Sequence, residues 1–324
     1  PVLPANIRIA GDITKSVEDI FTDGVLVDLS IGFWYGTNGN TAEELGIAGK
    51  VPEPVVGLGT KRLISKDMVD AWAVVAARAR YILRRHSYVF PLGETAFVPY
   101  KALAKVDEEL VQLQADFFKA RDRLKRGGYE DDSARTIAKH RESVRAKLRK
   151  QRPSLDVVLG RFFFTWSAYT VQLPKKLEVK AFSEKKAAAR AEAEQRYRRE
   201  LEDRVRNFLG EAVMTLRVKT IELCRTIAEK IKDGEVVTNR SLTTLRDWVD
   251  RFRMMNFVGD DDIEKRLEKL KRDILEGTDA DALKDDDALQ KTLATSLNQI
   301  AKAAGAVSDV SSVTGGYRRR LVTD

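Results

Sequence analysis

Residues 183–232 read SEKKAAARAEAEQRYRRELEDRVRNFLGEAVMTLRVKTIELCRTIAEKIK, and their reading decides the fold. Apolar or small side chains recur at Tyr197, Leu201, Val205, Phe208, Ala212, Leu216, Thr220, Leu223, Ile227 and Ile231. The steps between them are mostly three or four residues, which places them on one face of an α-helix. Gly210 is the one helix breaker inside the run. A helix of about 50 residues is about 75 Å long, so another element must pack along part of it. Before Leu201 the run is mostly Ala, Lys, Arg and Glu, a composition for a polar arm. After Leu201 the apolar arc widens through Leu209, Val213 and Val218, a composition for a core.

The partner expected for this helix lies upstream. Between Lys101 and Arg126, Leu103, Val106, Leu110, Leu113, Phe117 and Leu124 follow heptad spacing. Gly127-Gly128 ends that helix, and a more polar one is expected from Asp132 to Lys150, stopped by Pro153. Leu155–Leu173 is the most apolar stretch; periodicity leaves open how it divides between helix and strand. Further upstream, Val25–Tyr35 alternates like a strand. A helix is expected from Ser65 or Asp67 to Arg85, and two short strands within Ser87–Tyr100. Downstream, helices are expected after Asn239 or Ser241, after Asp261 and after Asp286.

These elements predict a mainly α protein: an extended antiparallel helical, coiled-coil body with a small N-terminal α/β subdomain. The expected division is residues 1–100 for the α/β subdomain and 101–235 for the helical body. Residues 236–304 form a C-terminal helical bundle and 305–324 a flexible tail.

Composition bounds the function. Of 324 residues, 43% are hydrophobic and 33% charged, enough apolar content for a core beneath solvated helices. A single Cys, Cys224, excludes an internal disulfide and suits a reducing compartment. The start carries no secretory pattern and no segment is apolar enough to span a bilayer, so a cytoplasmic protein without membrane contact is expected. The two histidines, His86 and His140, stand far apart, and no cluster has zinc-ligand spacing. Three acidic clusters, at 130–132, 260–262 and 285–287, lie where helices start and are read as caps. No phosphate loop or nucleophile motif occurs, so no enzyme activity, catalytic residue, metal or cofactor is expected.

Charge supplies the strongest functional signal. Residues 116–152 hold thirteen Lys or Arg against six Asp or Glu, whereas 260–290 hold twelve acidic against six basic residues. Arg121, Arg123, Lys125 and Arg126, followed by Lys139, Arg141, Arg145, Lys147, Arg149, Lys150 and Arg152, are the candidate residues for binding DNA or RNA phosphates. Arg141, Arg145 and Arg149 are expected on one helix face. The competing reading is a solvated face, or one that docks the acidic segment of the same chain.

The order of elements also carries a resemblance. Val27-Asp28-Leu29-Ser30-Ile31-Gly32-Phe33-Trp34-Tyr35-Gly36 is followed by Pro52–Gly59 and by Leu58-Gly59-Thr60-Lys61. After a helix come Tyr88-Val89-Phe90, Phe97-Val98-Pro99 and the stretch from Leu110 to Phe118. This order resembles an uncharacterised bacterial and phage family, a domain of unknown function often encoded beside a MoxR-type AAA+ ATPase. A von Willebrand factor A protein similar to a cobaltochelatase subunit is the other frequent neighbour. The resemblance covers residues 25–275 and implies an accessory subunit in a phage or mobile-element setting, with those two proteins as partners. It brings no catalytic residues. The function expected is therefore a non-enzymatic helical adaptor or scaffold, with a nucleic-acid-binding subunit as the alternative.

Overall fold

A computed structural model of the chain describes residues 17–40, 59–91, 95–125, 127–170 and 184–306. Arg126 and the part of the expected tail from 307 onward lie outside these residues. The described chain is mainly α, with ten α-helices and two small sheets. It divides into two compact units. The first takes the chain up to Leu26, His86–Leu103 and the residues from Ala168 onward; the second takes Val27–Arg85 and Ala104–Ser167. Strand β1 (Gly24–Gly32) and a helix at Tyr100–Arg121 each begin in the first unit and continue into the second.

In the second unit, Gly36 turns the chain sharply after β1. It has φ +67°, and a Cβ there would lie 2.3 Å from the Ile64 side chain, so only glycine fits. The strands β2 (Thr37–Gly39) and β3 (Thr60–Arg62) then pair antiparallel. Helix α1 (Lys66–Arg85) follows, capped by Ser65, whose hydroxyl accepts the Met68 N–H at 3.3 Å. The next strands, β4 (Tyr88–Val89) and β5 (Ala96–Pro99), belong to the first unit, where they pair antiparallel. Helix α2 is Tyr100–Arg121.

The apolar seam of α2 is buried at Val106, Leu110, Leu113 and Phe117, as its spacing predicts. Its partners differ from those expected. The Phe117 ring meets Phe33, Phe162 and Phe164 at centroid distances of 6.3, 5.8 and 5.6 Å, all within the second unit. The polar helix expected from Asp132 to Lys150 is two helices, α3 (Gly128–Ala138) and α4 (Glu142–Gln151). The break has a polar cause. The His140 ring nitrogen bonds the Arg62 carbonyl at 2.9 Å, and Arg145 Nε donates to the His140 carbonyl at 2.7 Å. The apolar stretch that follows divides into α5 (Leu155–Leu159) and β6 (Phe163–Tyr169).

The first unit is built on α6 (Glu184–Lys232), a helix of 49 residues. From Val205 onward it buries Phe208, Leu209, Ala212, Val213, Leu216, Cys224, Ile227 and Ala228. Four helices follow: α7 (Asn239–Met255), α8 (Asp261–Leu270, continued by a π turn to Leu275), α9 (Ala280–Asp285) and α10 (Asp287–Gly305). The helix that lines α6 is α10 and not the seam of α2. The two run antiparallel: Gln290 shares a cavity lining with Gly234–Val237, and Arg217 bonds the carbonyls of Ala303 and Ala304. Beside them Phe90, Phe97, Phe208 and Phe257 form one aromatic cluster, with centroids 5.0–6.2 Å apart for the pairs in contact.

A buried ion pair fixes this packing. Arg217 on α6 and Asp260 before α8 have side chains only 5% and 2% exposed. The guanidinium grips the carboxylate with two bonds of 2.5 and 2.7 Å. The clusters read as caps therefore behave differently from one another. Asp286 caps α10 through the Leu289 N–H at 2.9 Å. The Asp260 carboxylate is occupied by Arg217 and does not cap α8. Asp132 in α3 is buried and accepts the Ser65 N–H at 2.7 Å. At α7 the cap is Thr238, while Asn239 bonds the Ala280 N–H instead.

Two outcomes are expected. Arg217→Met leaves a buried carboxylate unpaired and lowers unfolding free energy by roughly 3–5 kcal/mol, measured by urea denaturation. The double variant Arg217→Met/Asp260→Leu is less destabilised than Arg217→Met alone. Cys224 is fully buried, and burial pushes its thiol up to about 12. A thiol-specific disulfide reagent therefore leaves native protein unlabelled at pH 8 and labels it fully once urea unfolds α6.

Candidate functional site

The basic residues singled out from the sequence all lie in the second unit, apart from Arg126, which is outside the described residues. They do not form one uniform stripe. Arg121 ends α2, ion-pairs with Asp122 at 2.7 Å and lies over the Phe118 ring at 4.6 Å. Lys125 shares the same carboxylate at 3.1 Å. Hydrogen bonds from Arg121 and Lys125 hold the Asp122 carboxyl below its ordinary range. Arg152 ends α4, pairs with Glu130 at 2.5 Å and lies over the Tyr129 ring at 5.2 Å.

The expected face of Arg141, Arg145 and Arg149 is interrupted. Arg141 is the N-cap of α4 with non-helical backbone, and Arg145 is half-buried against the His140 carbonyl. Lys147 is half-buried as well. Arg123, Lys139, Arg141, Arg149 and Lys150 remain exposed and make no ion pair among the described residues.

The aromatic residues around these cations were missed by sequence reasoning, which saw only strand alternation. Phe33-Trp34-Tyr35 follows β1; Trp34 touches the ring under Arg152, while Phe33 touches Phe117, the buried neighbour of the ring under Arg121. Phe33 meets Phe117 at 6.3 Å, and Phe117 meets Phe118 at 5.5 Å, beneath Arg121. On the opposite side Trp34 meets Tyr129 at 5.9 Å, beneath Arg152. Tyr35 packs on Phe33 at 4.8 Å yet is 63% exposed. Gly128 brings the last pieces together: a Cβ there would lie 2.0 Å from the Arg123 carbonyl oxygen, so the backbone after α2 closes against the start of α3.

A second feature belongs to the first unit. Along α6, Gln195, Arg196, Arg199, Glu200, Asp203 and Arg204 are exposed, and Val205 is the first buried described position. Among the described residues no group of three or more His, Cys, Asp or Glu is placed to hold a metal ion. No described helix is long and apolar enough to cross a membrane.

A family model described as "Protein of unknown function (DUF3150)" matches residues 22–296. The chain belongs to this family. The match runs through both units, from β1 into α10, and so includes the aromatic turn, the basic helices and the whole of α6. No curated protein and no solved structure matches the chain.

Burial gives the Tyr129 phenol a testable signature. Desolvation pushes it up to about 12, partly offset by Arg152 and reinforced by Glu130. The unfolded phenol titrates near its ordinary value of 10.0, so this contribution to stability is complete below pH 10 and is lost as pH rises toward 12. The difference in phenolate absorbance between wild type and Tyr129→Phe is expected to titrate near 12; titration near 10 refutes the buried setting.

Proposed function

We propose that the chain is a non-enzymatic helical adaptor that joins partner proteins through the first half of α6. The observation that carries this reading is the exposure of the six described side chains before Val205, Gln195, Arg196, Arg199, Glu200, Asp203 and Arg204. A helix of this length costs ordering entropy, and in water most helical stability comes from packing an apolar face. The second half has that packing against α10. In the first half, the described side chains carry both signs of charge and face solvent. A mixed-charge helical face held rigid by its own continuation suits a polar protein partner, and charge pattern then sets specificity.

The partners that fit are those the sequence resemblance implies: a MoxR-type AAA+ ATPase and a von Willebrand factor A protein, in a phage or mobile-element setting. In such an assembly the first unit anchors the arm and the second unit is left for another contact.

Co-expression with a MoxR-type ATPase and a von Willebrand factor A protein of the kind the resemblance implies tests the reading. A nuclease-resistant complex is expected on size-exclusion chromatography. Reversing Arg199, Glu200, Asp203 and Arg204 together is expected to abolish co-elution and leave the urea midpoint unchanged, because all four are exposed. Loss of the complex on nuclease treatment, or its survival in the reversed variant, defeats the proposal.

A further inference from the structure

Beyond the adaptor reading, we infer that α1 is a self-association surface, pairing antiparallel with α1 of a second copy of this chain. One face of α1 is core: Val69, Trp72, Ala76, Ala79, Ile82 and Leu83 are buried. The opposite face carries a second seam at Asp67, Asp70, Val74, Ala77, Tyr81 and Arg84, with steps of three, four, three, four and three residues. That is the spacing by which one helix packs along another. Asp67, Ala77 and Arg84 are exposed, the Asp70 side chain is 45% exposed, and Val74 and Tyr81 are 65% and 57% exposed. All six belong to one helix of one unit, so the helical period alone places them on one surface.

The seam is complementary to itself in reverse order. With two copies antiparallel about the point between Val74 and Ala77, Asp67 falls opposite the partner's Arg84, Asp70 opposite the partner's Tyr81, and Val74 opposite the partner's Ala77. The twofold axis repeats each contact, as a closed dimer requires. A carboxylate meets a guanidinium at the ends, a carboxylate accepts from a phenol next, and the small Ala77 lets the backbones approach beside Val74. This charge order selects a second copy as the occupant. The acids of the helix, Asp67 and Asp70, stand in its first half, and Arg78, Arg80, Arg84 and Arg85 stand in its second. A parallel copy would oppose like charges at both ends, whereas an antiparallel one also opposes the helix dipoles favourably. The groups are available: Asp67 makes no ion pair among the described residues, and the Asp70 pair with Lys66 at 3.5 Å is exposed and weak. Arg84 Nε donates to the Arg80 carbonyl at 3.4 Å, and its Nη groups make no bond among the described residues. Like charges meet only at the outer ends, where Lys66 faces the partner's Arg85. One helix pair buries less than the roughly 1,200–2,000 Å² of a standard interface, so the dimer is weak and concentration-dependent.

Sedimentation velocity of the full chain alone, from about 5 to about 500 μM, tests this over the affinities of a small interface. A monomer–dimer equilibrium is expected. Asp67→Arg and Arg84→Asp each set like charges opposite one another at both ends of the pair, and each is expected to weaken dimerisation at least about tenfold. The double variant Asp67→Arg/Arg84→Asp remakes the pairs with signs exchanged, and an equimolar mixture of the two single variants remakes them between unlike copies. Both are expected to dimerise within about threefold of wild type. Val74→Lys puts a charge at the apolar centre and is expected to abolish the dimer. Lys66→Glu turns the like-charge contact into an attractive one and is expected to tighten it. These side chains are exposed, so urea midpoints are expected to match wild type. A monomer throughout the range overturns the inference, as does a dimer that neither single variant weakens. A dimer that the single variants weaken and the double variant does not restore overturns the antiparallel pairing. The chain is measured without other proteins, so none of these outcomes bears on the contacts made by α6.

Discussion

One guanidinium, that of Arg217, organises the first unit. Taking an arginine and an aspartate out of water carries a desolvation cost of several kcal/mol per ion, recovered only with good geometry and full hydrogen bonding. Arg217 meets both conditions. Nε and Nη2 hold the two oxygens of Asp260, and Nη1 donates to the carbonyls of Ala303 and Ala304 at 3.3 Å. Those carbonyls lie in the last turn of α10, where the regular helical donors run out and the dipole favours a cation; Ala303 also accepts the Ala306 N–H at 3.3 Å. Asp260 is fixed in turn by Asn256, whose side-chain oxygen accepts the Asp260 N–H at 2.8 Å. One side chain therefore sets how far α10 slides along α6 and where α8 begins.

The same device is repeated one layer out. Arg246 on α7 donates to the Leu275 carbonyl at the end of the π turn and to the Thr278 carbonyl. Trp248 donates to Thr220 at 3.1 Å, one helical turn along α6 from Arg217. At the ends of α10 and of the π turn, an arginine from another helix satisfies carbonyls that would otherwise be buried unpaired, while Trp248 and Thr220 pair two side chains in mid-helix. The apolar faces supply the bulk of the driving force, but they are tolerant of sliding. The polar contacts supply the register.

This division explains what could be read from the chain. Periodicity marked the faces: the α2 seam from Val106 to Phe117 and most of the α6 stripe from Val205 to Ile227 are buried where spacing put them, but Val218, expected in the core arc, is 45% exposed. It could not say what each face meets. The partner of α6 begins more than fifty residues after it ends, and the α2 seam closes instead on Phe33, Phe162 and Phe164. Arg217 was invisible because a charged residue inside a helix reads as a solvated one; its partner stands 43 positions away. Asp260 was read as a cap for the same reason, since local sequence displays the carboxylate and not the buried cation opposite. The aromatic turn at Phe33–Tyr35 was legible only as alternation, because its ring contacts with Phe117 and Tyr129 depend on the path of the chain between them.

The ion pairs at the basic surface do not count against its use by a polyanion. Asp122 is 45% exposed and Glu130 57%, so their pairs with Arg121, Lys125 and Arg152 sit in high dielectric. Exposed pairs of this kind contribute about 0–1 kcal/mol each, and salt screens them further. A strand of phosphates offers several charges at once and gains from releasing its own counterions. What the intramolecular pairs do supply is geometry. With Asp122 between Arg121 and Lys125, and Glu130 beside Arg152, the two guanidiniums lie over the Phe118 and Tyr129 rings at 4.6 and 5.2 Å. Ordering entropy that a free arginine loses on binding is thereby already spent in the fold. Arg217 and Arg152 thus illustrate opposite uses of one side chain. Buried and fully bonded, it fixes the packing of helices; stacked and half-exposed, it holds a charge in place at the surface.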